Sequence, residues 1–446
     1  MSTLVTKLES LVGTGQVRSG EEAGRFTVDG VSPEVAVFPG SVEEVSAVLA
    51  ACSEARVGVI PRGGGTSMGL GAIPSRGEVA LVLTRLDRVL EHEPGDMTST
   101  VQAGMTLAAY QAALGAHGQF LALDAPRPDR ATLGGILAAN VSGPRRLRYG
   151  TARDLLIGAK LVHADGSVTK AGAKVVKNVT GYDLNKLYVG SLGTLGVLVE
   201  ACFRLYPRPP RERTWVGWFA GVAEAQATVA ELLDSPLVPS AVELCTRTAA
   251  DHVAQHAGLP PGGGSALLAV SVGSVPEAVD AQLGEVGRMA RRRGSQGSLL
   301  DGDAHDPFWR AVQEYPVSSR APLVLKCSLL PSRIADAFSH GELIAARQGL
   351  RLAAVSEAAT GVVRYHLWDE SGGPDPHSSM VEAIAALRAF AGEARGHLVV
   401  LEAPTQVKAA LDVWGPVGQG LPLMRALKAR FDPAGVLNPG RFVGGL

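Results

Sequence analysis

PRGGGTSMGLG, residues Pro61–Gly71, follows directly on the apolar run VGVI, residues 57–60. Five of its eleven residues are glycine, and its one formal charge is Arg62. In regular structure each such glycine would cost about 0.5–1 kcal/mol relative to alanine, so the stretch reads as a loop that needs its bare backbone. Taken alone it fits either a flexible surface loop or a phosphate cradle, in which successive N–H groups converge on an anion without Cβ clashes. It is not a Walker loop, because no Gly-Lys-Ser/Thr follows. Nor does it open a long helix in the manner of a G-x-G-x-x-G dinucleotide site.

The residues around it fit a sheet that delivers this loop to one end. Glu34 to Phe38 reads as a strand stopped by Pro39-Gly40, and Ser41 with Glu44 forms a capping box for a helix through about Glu54. Val57 to Ile60 reads as the next strand, making a βαβ unit. Two more glycine-dense stretches follow, TLGGILAANVSGPRR at residues 132–146 and GSLGTLGVLVE at residues 190–200. Each carries small hydroxyl or amide side chains: Thr66 and Ser67 in the first, Thr132, Asn140 and Ser142 in the second, Ser191 and Thr194 in the third. Three such loops make sense if they wrap one long phosphate-bearing ligand.

The chain has 446 residues, enough for two or three domains, with 46% apolar and 19% charged residues, as in a globular protein. Lys and Arg total 42 against 43 Asp and Glu, a net charge of -1, so no basic surplus points to nucleic acid or an anionic membrane. No apolar run approaches the ~20 residues that span a bilayer, and MSTLVTKLES lacks the apolar core of a secretory signal. Cys52, Cys202, Cys245 and Cys327 stand far apart with no C-x-x-C pair, which argues against an iron–sulfur cluster or structural zinc and fits buried thiols in a reducing cytoplasm.

Residues 79–208 are rich in short β-type runs, with Asp165-Gly166 marking a hairpin turn. YPRPPRER, residues 206–213, reads as a linker. Beyond it, strands and helices alternate, which predicts an α+β domain with helices on one face of a mainly antiparallel sheet. The last segment, LPLMRALKARFDPAGVLNPGRF, reads as a helix stopped by Asp432-Pro433, then a loop. Arg291, Arg292 and Arg293 read as a solvated helix C-terminus. His163 in its hairpin and His305 before Asp306 read as surface polar residues.

PRGGGTSMG, TLGGILAANVSGPRRLRYGTARD and KNVTGYDLNKLYVGSLGTLGVLVE, in this order and spacing, resemble the FAD-binding domain of the vanillyl-alcohol-oxidase/PCMH flavoprotein superfamily, and RFDPAGVLNPGRF resembles that superfamily's C-terminal return to the flavin. The resemblance implies a PCMH-type two-subdomain FAD-binding domain at 1–208, an antiparallel-sheet α+β (ferredoxin-like) substrate domain at 209–415, and a segment at 416–446 that returns to the first. It implies that Arg62, Gly63, Gly64, Gly65, Thr66, Ser67 and Gly69 hold the FAD pyrophosphate. Thr132, Gly134, Gly135, Asn140, Ser142 and Gly143 would line the second side, supported by Tyr149, Gly150 and Asp154. Gly190, Ser191, Gly193, Leu195, Gly196 and Val197 would complete the channel, with Asn438 near the isoalloxazine edge. Members with covalent flavin often carry histidine where Thr66 stands, so non-covalent FAD is the expectation.

The third motif is most similar to the FAD-binding subunits of glycolate oxidase and related D-2-hydroxyacid dehydrogenases. Leu192 replaces the glutamate of the large subunit's G-S-E-G-T-L-G, and the histidine-rich G-H-x-G-D-G-N-x-H stretch that supports substrate and metal binding is missing. Both departures resemble the smaller E-type subunit, which works with a D-type flavin subunit and an F-type iron–sulfur subunit in the cytoplasm, and no metal is expected. The substrate implied is a small 2-hydroxy acid, whose hydride goes to flavin while a base takes the hydroxyl proton. VVRYHLW places Arg364, His366 and Trp368 on one strand face, and Lys326 alternates with Ser328 in LKCSLL. His366 is then the candidate base, with Arg364 or Lys326 as carboxylate anchor. Three alternatives stay open beside this: strand residues packed at a subunit contact, an FAD-carrying electron-transfer or assembly subunit whose partner performs the chemistry, and a cofactor-free structural protein, which would purify colourless.

Overall fold

Sheet topology follows from the valine-rich runs and the caps between them. The computed structural model describes residues 2–173, 182–370 and 376–446, so the KNVTG portion of the third motif lies outside the described residues. The chain divides into two compact units. One comprises Met1–Ser142, Thr151–Arg208 and Pro416–Leu446, the other Gly143–Gly150 and Pro209–Gly415.

In the first unit a four-stranded sheet runs Val17–Ser19, Val35–Val37, Val79–Val82, Val59–Arg62. Helix Val42–Glu54 joins the second and fourth of these, and its Ser41 cap accepts the Glu44 amide at 3.1 Å. Glu44 reaches back to the Gly40 amide, one residue earlier than a capping box requires. Both Val35–Val37 and Val59–Arg62 pair parallel to Val79–Val82, which is inserted between them. A five-stranded antiparallel sheet runs Val89–Glu93, Thr98–Gln102, Val197–Arg204, Leu156–Val162, Val168–Gly172. Its last two strands are joined through Asp165-Gly166, with Gly166 at φ +84° as the turn demands. One core holds the two sheets together. Leu8, Val45, Leu49, Val59 and Leu81 are fully buried in it, with Val162, Val199 and Leu437.

The first unit closes inside residues 206–213, as the linker expectation has it, but the stretch is regular structure rather than an irregular connection. Tyr206–Pro207 pairs with Gln119–Phe120, and Arg211–Phe219 is a strand of the second unit. Its arginines are neutralised, Arg211 by Asp301 at 2.8 Å and Arg213 by Asp280 at 2.8 Å, so charge here stabilises a strand.

The second unit carries an eight-stranded antiparallel sheet in the order Gly297–Leu300, Arg211–Phe219, Ala266–Ser274, Ala241–Thr246, Leu350–Glu357, Val362–Asp369, Leu323–Ser328, His397–Glu402. Helices cover both faces, not one. Helices Arg247–His256 and His305–Ser318 pack with Val216, Leu267, Ala353 and Val355 on one side. Helix Ile334–Arg347 lies on the other, where the Tyr365 hydroxyl donates to the Ala337 carbonyl at 2.9 Å. Strand Ala266–Ser274 is buried on both sides along nearly its whole length, a pattern that requires cover on two faces.

Three histidines are core residues of this fold. His163 is 6% exposed, its ring nitrogens on Leu195 O at 3.1 Å and Thr169 Oγ1 at 2.8 Å. His305 is 4% exposed, with Nδ1 3.0 Å from Thr214 Oγ1. Neither is the surface residue that its sequence position suggests, because tertiary partners absorb the polar atoms of both. His366 is fully buried, edge-on to Tyr315 with ring centroids 4.7 Å apart, and its Nδ1 lies 3.2 Å from Ser319 Oγ. Burial, then the charge of Arg364, pushes its pKa down to about 3. His366 is neutral in the fold, so the stability it contributes is complete above the unfolded value near 6.5 and falls away as the pH drops toward 3. Urea unfolding at pH 6.5 and 5 should show a loss of about 2 kcal/mol that His366→Asn largely removes.

Candidate functional site

The glycine loop leaves strand Val59–Arg62 at an edge shared with the C-terminal segment. Val59 donates to Val436 O and accepts from the Asn438 amide, both at 2.8 Å, which lays residues 436–438 alongside the strand. A Cβ at Gly63 would stand 1.9 Å from Thr132 Oγ1, and one at Gly64 1.7 Å from the Arg130 carbonyl oxygen. Only glycine permits this approach. Arg130 also donates to Gly64 O at 3.3 Å, tying the two loops across that contact.

Pinned in this way, the loop keeps its amides for something else. Among the described residues, the N–H groups of Gly63, Gly64, Gly65, Thr66 and Ser67 donate to no protein acceptor. They line one cleft with Pro61, Arg62, Met68, Thr132, Gly135, Ala138, Ala139, Leu192, Asn438 and Arg441. Arg62 sits with its guanidinium 5.3 Å from the Phe26 ring centre, and burial, then Arg130, lowers its pKa. A row of unused donors beside a cation, with no carboxylate in the lining, is the chemistry that a diphosphate requires. The residues present therefore fit FAD.

Other candidates play supporting parts. Thr132 caps helix Leu133–Ala139, accepting the Gly135 amide at 3.4 Å, and the Gly134 amide is consumed by Ala103 O at 2.8 Å. Gly134 is a packing glycine: its Cβ would meet that of Ala103 at 2.8 Å. Asn140 ends the helix in the left-handed region at φ 52°. Gly190 and Leu192 donate to Leu137 O and Ala138 O, docking the third loop on that helix end. Ser191, Leu195 and Val197 are buried, Gly193 lies beside Pro61, and Gly196 lies beside His163. Ser142 Oγ accepts the Ala152 amide at 3.0 Å, and Asp154 accepts the amide and hydroxyl of Thr151 at 2.8 and 2.7 Å. Gly69 lies in the turn that closes the first loop. Gly143, Tyr149 and Gly150 belong to the second unit.

These loops are fixed by a clamp whose side chains, apart from Asn438, are not among the site residues that the resemblance implies. Lys428, at the end of helix Leu421–Phe431, donates to Asp432 at 2.6 Å and to the carbonyls of Thr194 and Leu437 at 2.9 Å. Asp432 accepts the amides of Val436 and Leu437 at 2.9 and 2.7 Å, turning the chain back toward Val59. Asn438, at φ 47°, donates to Leu192 O at 2.5 Å. Arg441 donates to Met68 O and Leu70 O, both at 2.6 Å. Burial pushes the Arg441 pKa down to about 10, which leaves it charged at neutral pH. The signal was present in FDPAGVLNPGR as repeated turn chemistry, since Gly435 and Gly440 both take positive φ.

In the second unit, Arg364 and Lys326 face one another across neighbouring strands, and Val324 holds the same position opposite His366. Arg364 pairs with the buried Glu357 at 2.6 Å. The sheet brings the two cations together and leaves His366 inside the core. Among the described residues no group of histidine, cysteine and carboxylate side chains could hold a metal, and no helix is long and apolar enough to cross a membrane.

Residues 33–172 match the FAD binding domain model, and residues 208–399 and 409–442 match the C-terminal domain model of FAD linked oxidases. This chain belongs to the FAD-linked oxidase family. Its cofactor is FAD, and its relatives include the glycolate oxidase subunit GlcD of Bacillus subtilis, 28% identical over 92% of this chain and 88% of that protein. The D-lactate dehydrogenase of Archaeoglobus fulgidus is 30% identical over 92% of this chain and 91% of that one. The fold is shared with p-cresol methylhydroxylase at a TM-score of 0.76, 20% identity, and coverage of 99% and 96%. The resemblance to the PCMH-type flavoproteins, and to FAD-binding subunits of glycolate oxidase in particular, is borne out.

Gly64→Ala should fold but lose its yellow FAD on gel filtration, with affinity down about tenfold or more, because the added methyl displaces the loop. Gly15→Ala, where the methyl meets nothing within 4 Å, should purify as yellow as the wild type.

Proposed function

We propose that this FAD-linked oxidoreductase oxidises a small 2-hydroxy acid such as glycolate or D-lactate and passes the electrons to a partner. The FAD domain would span 1–208 with the returning segment 416–446, and the substrate domain 209–415. The amides of Gly63 to Ser67, with Arg62, would hold the diphosphate, and Asn438 would lie near the flavin ring. Thr66 stands where covalently flavinylated members often carry histidine, which supports a non-covalent cofactor. When bound, FAD supplies the acceptor for the substrate's Cα hydride.

The observation that carries the reading is the pairing of Arg364 with Lys326 on adjacent strands, beside Glu357. Arg364 is held by Glu357, so Lys326 beside it is the cation left to meet the carboxylate of a 2-hydroxy acid. Burial, then Arg146 and Arg364, lowers the Lys326 pKa to about 8, so it remains mostly charged at neutral pH. Electrons would leave through a partner because the four cysteines are separate buried thiols that hold no cluster. D-type flavin and F-type iron–sulfur subunits in the cytoplasm are the proposed partners, with this chain in the E-type role on the grounds of Leu192 and the missing histidine stretch. The relative from Bacillus subtilis carries the D-subunit name, so the subunit role rests on those two departures alone.

A second reading, an FAD carrier without substrate chemistry of its own, is favoured by the complete burial of His366, which removes the expected base from reach of a substrate. Anaerobic mixing of the FAD-loaded chain with glycolate or D-lactate separates the two. Bleaching of the oxidised flavin band supports the first reading. A spectrum that bleaches only when the partner subunits are added rejects it in favour of the second.

A further inference from the structure

Helix Arg146–Tyr149 belongs to a short segment, Gly143–Gly150, that packs with the second unit although it lies far from it in sequence. It brings Arg146 to the buried Glu357. Arg146 Nε lies 2.8 Å from Glu357 Oε2 as an ion pair, with its N–H directed to Gly143 O at 3.3 Å, while Arg364 Nη2 donates to Oε1 at 2.6 Å. Each carboxylate oxygen thus faces an arginine, Oε1 through a hydrogen bond and Oε2 through charge alone. Lys326, directly opposite Arg364, has no hydrogen-bond or ion-pair partner among the described residues. Its other strand neighbour across the sheet is the apolar Val399. Glu243 stands opposite Glu357 on the next strand and acts on Arg364.

We propose that Arg146 is a positioning residue for anion binding: by occupying Glu357 Oε2 it keeps Lys326 from pairing internally and leaves that ammonium for the carboxylate of the substrate. The charges agree with this. Arg146, Lys326 and Arg364 against Glu243 and Glu357 leave one positive charge over, carried by the group that lacks a partner. Only the identity of the natural anion rests on the reading given under the proposed function. Lys326 is a point charge on a flexible stem, so it would swing to Glu357 once Oε2 became free.

Oxalate, a dicarboxylate with no hydride to give, is the probe, titrated calorimetrically into the FAD-loaded chain. Wild type should bind it, and the affinity should fall as the pH rises through about 8, where Lys326 loses its proton. Arg146→Gln should weaken binding about tenfold or more and move the alkaline fall upward by about one pH unit, because Lys326 then pairs with Glu357. Arg146→Lys, which restores a cation for a single-point contact, should recover affinity to within about threefold. If Arg146→Gln does not fold, Lys326→Met must still abolish oxalate binding while Arg146→Lys retains the wild-type pH profile. Unchanged affinity and pH profile in Arg146→Gln, or failure of wild type to bind oxalate, overturns the proposal. Oxalate binding without flavin reduction by any 2-hydroxy acid leaves the anion site standing and rejects the proposed reaction instead.

Discussion

The first unit is organised around a place where the glycine loop's backbone approaches its neighbours too closely for any side chain. At Gly64 a methyl group would fall 1.7 Å from the Arg130 carbonyl oxygen, and at Gly63 1.9 Å from Thr132 Oγ1. Protein interiors cannot absorb such overlaps without moving a strand or a helix end. Glycine at these positions is therefore a packing requirement first. Its consequence is chemical: these contacts use none of the N–H groups of Gly63 to Ser67, so a row of donors is left to face the cleft. A ligand that meets preorganised donors avoids the ordering penalty a flexible loop would impose.

The cleft needs residues from both ends of the chain. Lys428 and Asp432 form a buried pair whose remaining hydrogen-bonding capacity is taken up by the main chain of the third glycine loop and of the C-terminal turn. A buried pair so fully engaged resists the desolvation penalty that isolated charges suffer. Asn438 and Arg441 then fasten the third and first loops to that turn. Leu192 benefits from this arrangement. It sits at φ 52°, a strained conformation for leucine, and persists because its amide and carbonyl are both held.

Much of this was legible in the sequence wherever the physics is local. The Ser41 cap, the Asp165-Gly166 turn and the loop after Val59 are set by neighbouring residues, and each appears where its turn chemistry places it. The cofactor site was legible for a different reason, the repetition of glycine loops carrying small hydroxyls. What escaped depends on distant partners. His163 and His305 look polar in sequence, yet tertiary contacts bury them. Helices on both faces of the large sheet, and strands within the proline- and arginine-rich segment, follow from which aspartates and apolar surfaces the fold brings near. Arg146 is the clearest case, since nothing in its own segment announces Glu357 as its partner.

The central claim is that main-chain amides of one rigid glycine loop grip the FAD diphosphate. Amide hydrogen exchange across residues 62–69, followed with and without FAD bound, tests it most directly. Strong slowing confined to Gly63 through Ser67 on addition of FAD, larger than in the Gly134–Gly135 helix start, is the predicted result. Equal exchange in the two states at those five amides would contradict it.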